Sequence, residues 1–332
     1  MASLASFLEL AFPYAGRSPR FPHRSPIIDS WRVLDFSSFE GVVRYARGQL
    51  IVCPEEGDDA HIPLADVGTV LIGLRTTIRG SVLQQLAAFD VIALFCDWRG
   101  VPVAGMYGWK DHSRIGARHR AQASASVPRL KNAWGRIVRA KVLGQATNLR
   151  LIGSRDWAHL DSLAKTVRSG DPENVEATAA RYYWVRLFAD SGFTRTPGGG
   201  QGFNGMLDYG YSILRGLSVR SVLAAGLAPA LGLFHRGRSN AFNLADDLIE
   251  PFRPAIDLTV ARLGADMTPT HPSVKAALVA ASNQAFLPDG TTLPTALLDL
   301  ARSLGRYLEA DTGHLPVYGW SGPATQDSVE LP

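Results

Sequence analysis

From Trp31 onward the chain opens in short β-branched and apolar runs, WRVLDF, GVVRYA and QLIVCP, separated by polar residues, and these predict strands. Arg47-Gly48 fits a tight turn between the second and third runs. HIPLADVGTVLIG adds another strand pair, Ser81 to Ala88 reads as a helix, and VIALFCD reads as a short buried strand. After Arg118 the period lengthens: AWGRIVRAKVLGQATNLRLI repeats apolar residues at helical spacing, and the chain stays helical almost to Ala310. Asp171-Pro172 reads as an N-cap followed by Pro at the first helical position, launching ENVEATAARYYWVRLF. SGFTRTPGGGQG is a flexible loop, and NGMLDYGYSILRGLSVRSVLAAG is the next helix, stopped by Gly226. Pro288-Asp289-Gly290 breaks the last helical stretch.

These patterns divide the chain into an α+β protein, with a small N-terminal β-rich domain followed by a larger all-helical domain. Residues 1–30 are rich in Pro, Arg and Ser and read as an extension without regular structure. Residues 31–105 form the β-rich domain, 106–118 a linker, 119–310 the helical domain that carries the chemistry, and 311–332 a frayed Gly/Pro-rich tail. The β-rich part has no cluster of polar residues suited to catalysis, which makes it a platform for assembly.

Composition narrows the class. The chain has 332 residues, 46% hydrophobic and 19% charged, as expected of a folded soluble protein with ample core. Its 34 basic against 30 acidic residues permit a nucleic-acid partner without requiring one. Arg114, Arg118, Arg120, Arg129, Lys131, Arg136, Arg139, Lys141 and Arg150 are available to neutralise phosphates, and a solvated helix surface explains the same run equally well. Cys53 and Cys96 lack a CxxC partner and read as small buried apolar residues in a reducing cytoplasm. No run of apolar residues is long enough to span a membrane, and MASLASFLELAF lacks the basic flank of a signal peptide. Walker, dinucleotide-binding and HExxH motifs are absent, and Gly198-Gly199-Gly200 reads as a mobile connector.

The densest chemistry lies between Gly226 and Asp257. A helix starting near Asn243 puts Leu244, Leu248, Phe252 and Ala255 on one face and Asp246, Glu250, Arg253 and Asp257 on the other, with Asp247 on its shoulder. Pro251 and Pro254 predict a kink at that point. His235 stands 15 residues before Glu250, and Gly237, Ser239 and Asn240 allow it to fold back over the acidic face. A histidine facing clustered carboxylates suits a divalent metal; a solvated acidic helix face fits the same segment. Glu176, among small residues, is either a further ligand or a partner for Arg181 or Arg186.

Taken in order, four motifs resemble the CRISPR-associated spacer-acquisition integrases, the universal first Cas protein (Cas-one). They are EATAARYYW at Glu176, the Asn-x-x-Leu-x-Tyr-Gly-Tyr helix at Asn204, Leu207, Tyr209, Gly210 and Tyr211, the run GLAPALGLFH ending at His235, and DDLIEPFRP containing Glu250. The resemblance spans about residues 31–305, and DDLIEPFRP with WGRIVRAKVLGQA upstream looks most like the type II branch. The N-terminal extension is unlike the family.

The resemblance implies Glu176, His235 and Glu250 as catalytic residues that bind a divalent metal, Mg2+ or Mn2+. Two carboxylates suit a hard cation, and the imidazole tilts the preference towards manganese. Asp247, Asp246 and Asn204 are expected to support these ligands from outside; Asp246 shares Glu250's face on the helical projection, whereas the family motif favours Asp247. The implied activity is that of an endonuclease and integrase of antiviral defence, inserting captured foreign DNA into the CRISPR array by metal-dependent cleavage and strand transfer. The implied partners are double-stranded DNA, a second copy in a homodimer formed through the β-rich domains, and the small companion Cas protein (Cas-two), in the cytoplasm and without a membrane. Two competitors remain: a metal-dependent repair nuclease acting on branched DNA, and a non-catalytic DNA-binding scaffold.

Overall fold

The computed structural model describes residues 32–98, 102–108, 112–189, 191–198 and 200–323, so the extension at 1–30 lies outside the described residues. The β-prone runs form β1 (Arg32–Phe36), β2 (Gly41–Ala46), β3 (Gln49–Pro54), β4 (Ala60–Pro63), β5 (Val67–Ile72), β6 (Thr76–Ile78), β7 (Ile92–Cys96) and β8 (Pro102–Met106), with helix α1 (Gly80–Ala88) between β6 and β7. One sheet has the order β1-β5-β7-β8, parallel except for its last pair; the other has the order β4-β3-β2-β6. Arg47 and Gly48 both take left-handed backbone, which closes the β2–β3 hairpin as the sequence predicts. Both strands expected in HIPLADVGTVLIG form, but not against each other: β4 pairs with β3 in one sheet and β5 with β1 and β7 in the other. β5 is buried at every position, so it needs a central place covered on both faces rather than a hairpin partner at an edge.

The first sheet is a wall shared by two cores. Val33, Leu71, Ile92 and Leu94 face the helices, whereas Leu34, Phe36, Val70, Ile72 and Ala93 pack with β2, β3 and α1. Alternation along the strands thus joins the β-rich part to the helical part without a break.

The helical part comprises α2 (Ile115–Ala123), α3 (Val127–Leu151), α4 (Trp157–Thr166), α5 (Val175–Leu187), α6 (Gly202–Ala224), α7 (Asn243–Leu248), α8 (Arg253–Leu263), α9 (Pro272–Ala281) and α10 (Leu293–Leu308). The linker expected over 106–118 is shorter than that. β8 ends at Met106, α2 starts at Ile115, and Arg118 is buried against Glu309 and the carbonyl of Ala225. The N-cap at Asp171 also moves: α5 starts at Val175, past Pro172, and the Asp171 carboxylate reaches forward to accept the N–H groups of Val175 (2.9 Å) and Glu176 (3.0 Å). The tail is not frayed over 311–323. Leu315 and Trp320 are fully buried, and Trp320 Nε1 donates to Asn148 Oδ1 at 3.0 Å.

α3 is the spine of this half. Trp134, Val138, Gln145 and Asn148 are buried along one stripe that also carries Lys141, at the spacing of a helix core seam. Gly144 lets Pro254 and Trp320 approach: a Cβ there would meet the proline ring at 2.9 Å. Some basic residues of this region are tied to backbone carbonyls, half-buried Arg129 and the exposed Arg139 among them. Arg129 donates to the Tyr307 carbonyl, and Arg139 to those of Ala164 and Val167.

Candidate metal centre

Two carboxylates meet on one lysine. Glu176, in the first turn of α5, and Glu250, which opens a 3₁₀ turn (Glu250–Phe252) between α7 and α8, each place one oxygen 2.6 Å from Lys141 Nζ. The local sequence explains both positions. Asp171 fixes the backbone of Glu176, and Pro251 and Pro254 interrupt the helix at Glu250, as the sequence predicts. Glu250 Oε1 is also 3.0 Å from Arg253 Nε, whose guanidinium lies 4.4 Å from the ring centre of Tyr211. The Glu250 side chain is 5% exposed. Burial pushes its carboxyl up, but Arg253 and Lys141 outweigh burial and hold it below the usual carboxylate range. Burial likewise opposes the Lys141 charge, yet Glu250 and Glu176 raise its pKa above that of an ordinary lysine.

His235 arrives on the connection from α6 to α7. Its Nδ1 is 2.6 Å from Asp247 Oδ1, and the backbone N–H groups of Leu233 (2.6 Å), Phe234 (3.1 Å) and His235 (3.2 Å) donate to the same carboxylate. Gly232 keeps this approach open, since a Cβ there would stand 2.9 Å from Asp247 Oδ2. The hydrogen bond to Asp247 raises the histidine's pKa against the opposing effect of burial, and Glu250 contributes through its charge. With Nδ1 committed to a carboxylate, Nε2 is the ring nitrogen left for a metal. Phe234 stacks on buried Trp134 at 4.5 Å, which fixes the residue beside the histidine.

The remaining predicted residues are accounted for differently. Asp246 accepts from Arg215 Nε (2.7 Å) and Asn240 Nδ2 (2.8 Å). Asn204 pins the loop before α6, accepting from Arg195 and the Thr196 N–H and donating to the Thr194 carbonyl. A solvated acidic face is ruled out, because Asp246, Asp247, Glu250 and Asp257 are all buried. Among the described residues, no three His, Cys, Asp or Glu side chains converge closely enough to hold a metal as they stand. Glu176 and Glu250 come together through Lys141, and His235 sits with Asp247 within electrostatic range of Glu250.

In the surrounding frame the sequence marks Asp257 and Tyr211, but not the contacts that join them or the parts played by Tyr183, Asn148 and Gln122. Asp257 accepts from Tyr211 (2.5 Å) and Tyr183 (3.1 Å), and burial lifts its pKa to about 7. Asn148 donates to Tyr183 and to the Pro254 carbonyl, both at 2.7 Å. Gln122 on α2 donates to the carbonyls of Ala228 (2.9 Å) and Leu231 (2.7 Å) and accepts from the Ala228 N–H (2.9 Å), gripping the connection that carries His235. The signal for the α3 residues was present: polar Lys141, Gln145 and Asn148 fall on the apolar stripe of Trp134 and Val138.

The chain matches the family described as CRISPR associated protein Cas1 over residues 36–271. It is 38% identical over 248 residues to a CRISPR-associated endonuclease Cas1 of Neisseria meningitidis serogroup C (strain 8013), spanning 72% of this chain and 80% of that protein. Its fold is similar to a casposase bound to integration product, with a TM-score of 0.71 at 20% identity over 89% of this chain and 94% of that one. It is also similar to a chain of a Cas6-RT-Cas1–Cas2 complex, with a TM-score of 0.67 at 17% identity over 90% of this chain and 37% of that one.

Proposed function

This chain belongs to the CRISPR-associated Cas1 family, and from that premise we propose that it is the endonuclease and integrase that inserts captured DNA into the CRISPR array, acting with a divalent metal. The observation that carries the metal reading is the convergence of Glu176 and Glu250, from separate elements, on the ammonium of Lys141. Glu250 Oε2 is a buried oxygen with no hydrogen-bond partner, satisfied only by that neighbouring positive charge. A pair of hard carboxylate donors gathered about a cation suits Mg2+ or Mn2+. Glu176 and Glu250 would hold the ion, with His235 as the nitrogen donor. When bound, it would supply Lewis-acid stabilisation of the charge that builds on the attacked phosphate.

The protein's own residues supply the remaining requirements. Asp247 keeps His235 in the tautomer that presents Nε2. Arg253, braced by Tyr211 and Glu250, adds fixed positive charge beside the carboxylates. Binding through the phosphate backbone makes the interaction with double-stranded DNA salt-sensitive. Assembly as a homodimer with Cas2 bridging two dimers, cytoplasmic location and type II origin belong to the same reading; a Cas1–Cas2 complex among its structural neighbours supports Cas2 as a partner. Among the described residues, no helix is long and apolar enough to cross a membrane.

The test is strand transfer of a short duplex into a supercoiled plasmid bearing the repeat. Glu176→Ala, His235→Ala and Glu250→Ala should each abolish joining while the protein still binds the duplex. Joined product from any of them would remove that residue from the site. Nicking without joining by the wild type would favour a repair nuclease.

A further inference from the structure

Lys141 is the least expected member of the site. Its side chain is 13% exposed, it projects from the buried stripe of α3, and its Nζ lies at equal distance, 2.6 Å, from Glu176 Oε1 and Glu250 Oε2. Glu176 and Glu250 would hold a divalent ion in the volume that the ammonium now fills. Two cations cannot share that position. The flanking residues Ala140 and Val142 are buried, so the helix cannot slide to withdraw the lysine. Its four-carbon stem can, by changing rotamer towards the more open side, where Glu176 is 23% exposed.

We infer, on the premise of the metal reading above, that Lys141 is a resident cation. It holds Glu176 and Glu250 at ligand spacing in the metal-free protein, and its ammonium must leave before a divalent ion enters, so Lys141 sets the metal affinity of the site. The arrangement solves a physical problem of the empty centre. Two carboxylates brought together with one of them buried repel each other and are costly to desolvate, and a tethered ammonium offsets both effects until the metal arrives. It also accounts for the lack, among the described residues, of a ready three-ligand cluster, since the carboxylates are spaced around a nitrogen rather than drawn in upon an ion. A lysine serving only as a structural ion pair would have the opposite consequence: its loss would loosen the carboxylates and weaken metal binding.

The experiment titrates Mn2+ into metal-stripped full-length protein, following free Mn2+ by its paramagnetic resonance signal and binding heat by calorimetry. Wild type, Lys141→Met, Lys141→Gln and Glu250→Gln are compared, and circular dichroism confirms folding. Lys141→Met should lower the metal-free melting temperature, bind Mn2+ at least about tenfold more tightly than wild type, and recover stability when saturated, because removing a like charge from a partly buried site favours the incoming cation. Should Lys141→Met fail to fold, Lys141→Gln, which retains a hydrogen-bond donor without the charge, should show the same tightening. Equal or weaker Mn2+ binding by a folded Lys141 variant, with wild-type binding that depends on Glu250, would overturn the resident-cation role and leave the metal reading intact. Absence of Glu250-dependent Mn2+ binding in the wild type and both lysine variants would remove both.

Discussion

Asp247 Oδ1 lies 2.6 Å from Nδ1 of His235, and the same fully buried carboxylate closes the loop around the histidine by accepting three consecutive backbone N–H groups. One side chain therefore sets both the path of the loop and the orientation of the ring. Asp246, the next residue back, serves a separate purpose by tying Arg215 and Asn240.

The two aspartates should consequently respond differently to the same substitution. Asp247→Asn replaces one acceptor oxygen by an NH2 group facing donors, at a cost of about 1–3 kcal/mol for the groups left unpaired. It should lower the melting temperature and abolish measurable strand transfer. Asp246→Asn retains an acceptor for Arg215 and should keep activity within several-fold of wild type. Melting curves and plasmid-integration assays on the two variants side by side check this, and equal loss of activity would contradict the division of roles.

Much of this arrangement is legible in the chain. Leu244, Leu248, Phe252 and Ala255 are buried as their spacing requires, and Pro251 and Pro254 break the helix where they stand. The reading stops short at the opposite face, because a helical projection shows which charges share a side but not what packs against them. Arg215 comes from α6 and Lys141 from α3, and they turn an acidic face that could have been solvated into a buried one. Composition groups Lys141 with a run of basic residues suited to a surface, although it lies on the apolar stripe of its own helix. The tail misled for a compositional reason: Gly and Pro signal irregular backbone, but Leu315 and Trp320 are enough to anchor it.

Gln122 makes a second prediction. Its amide satisfies two carbonyls and one N–H of the connection between Gly226 and His235, from a helix that sequence composition assigned partly to a linker. Gln122→Ala should take away the partner that Gln122 gives the Leu231 carbonyl and the Ala228 N–H, while the Ala228 carbonyl keeps the Leu231 N–H, and cost about 1–3 kcal/mol. Hydrogen exchange over 226–236 should quicken more than over α3, and integration should fall by roughly tenfold or more as the histidine loses its fixed position. Unchanged exchange in that loop would show that the connection does not depend on Gln122.

The tail gives a third. Trp320 fills a place beside Gly144 and Phe286 and donates to Asn148, which itself holds Tyr183 and the Pro254 carbonyl next to Arg253. Trp320→Ala should cost about 3–5 kcal/mol, the range for emptying a buried aromatic site. Denaturant unfolding measures that loss, and limited proteolysis should then cut within 311–323, where the wild type resists.

Asp257 provides a pH signature that isolates the frame from the metal ligands. Burial raises its pKa to about 7 in the folded chain, against about 3.9 for an exposed aspartate. Its proton is therefore held by the native state and released by the unfolded state between these two values. Because the native state binds more protons across that window, the contribution of Asp257 is fully present below about pH 4, declines as pH rises, and is lost above about pH 7. Lys141, Glu250 and His235 have displaced pKa values of their own, so wild-type stability alone would mix several slopes. The difference between wild type and Asp257→Asn removes what those groups contribute independently of Asp257, and the amide is neutral at every pH and still offers an oxygen to the Tyr211 hydroxyl. Urea unfolding at intervals from about pH 4 to pH 8 should show the wild type's advantage over Asp257→Asn shrinking steadily towards neutral pH, by the linkage relation for a single proton. A difference that stays flat across the range would mean that Asp257 titrates alike in the folded and unfolded chains. A difference that grows with pH would mean that Asp257 is held as a carboxylate by the hydroxyls of Tyr183 and Tyr211 and the charge of Arg253, and that these outweigh its burial.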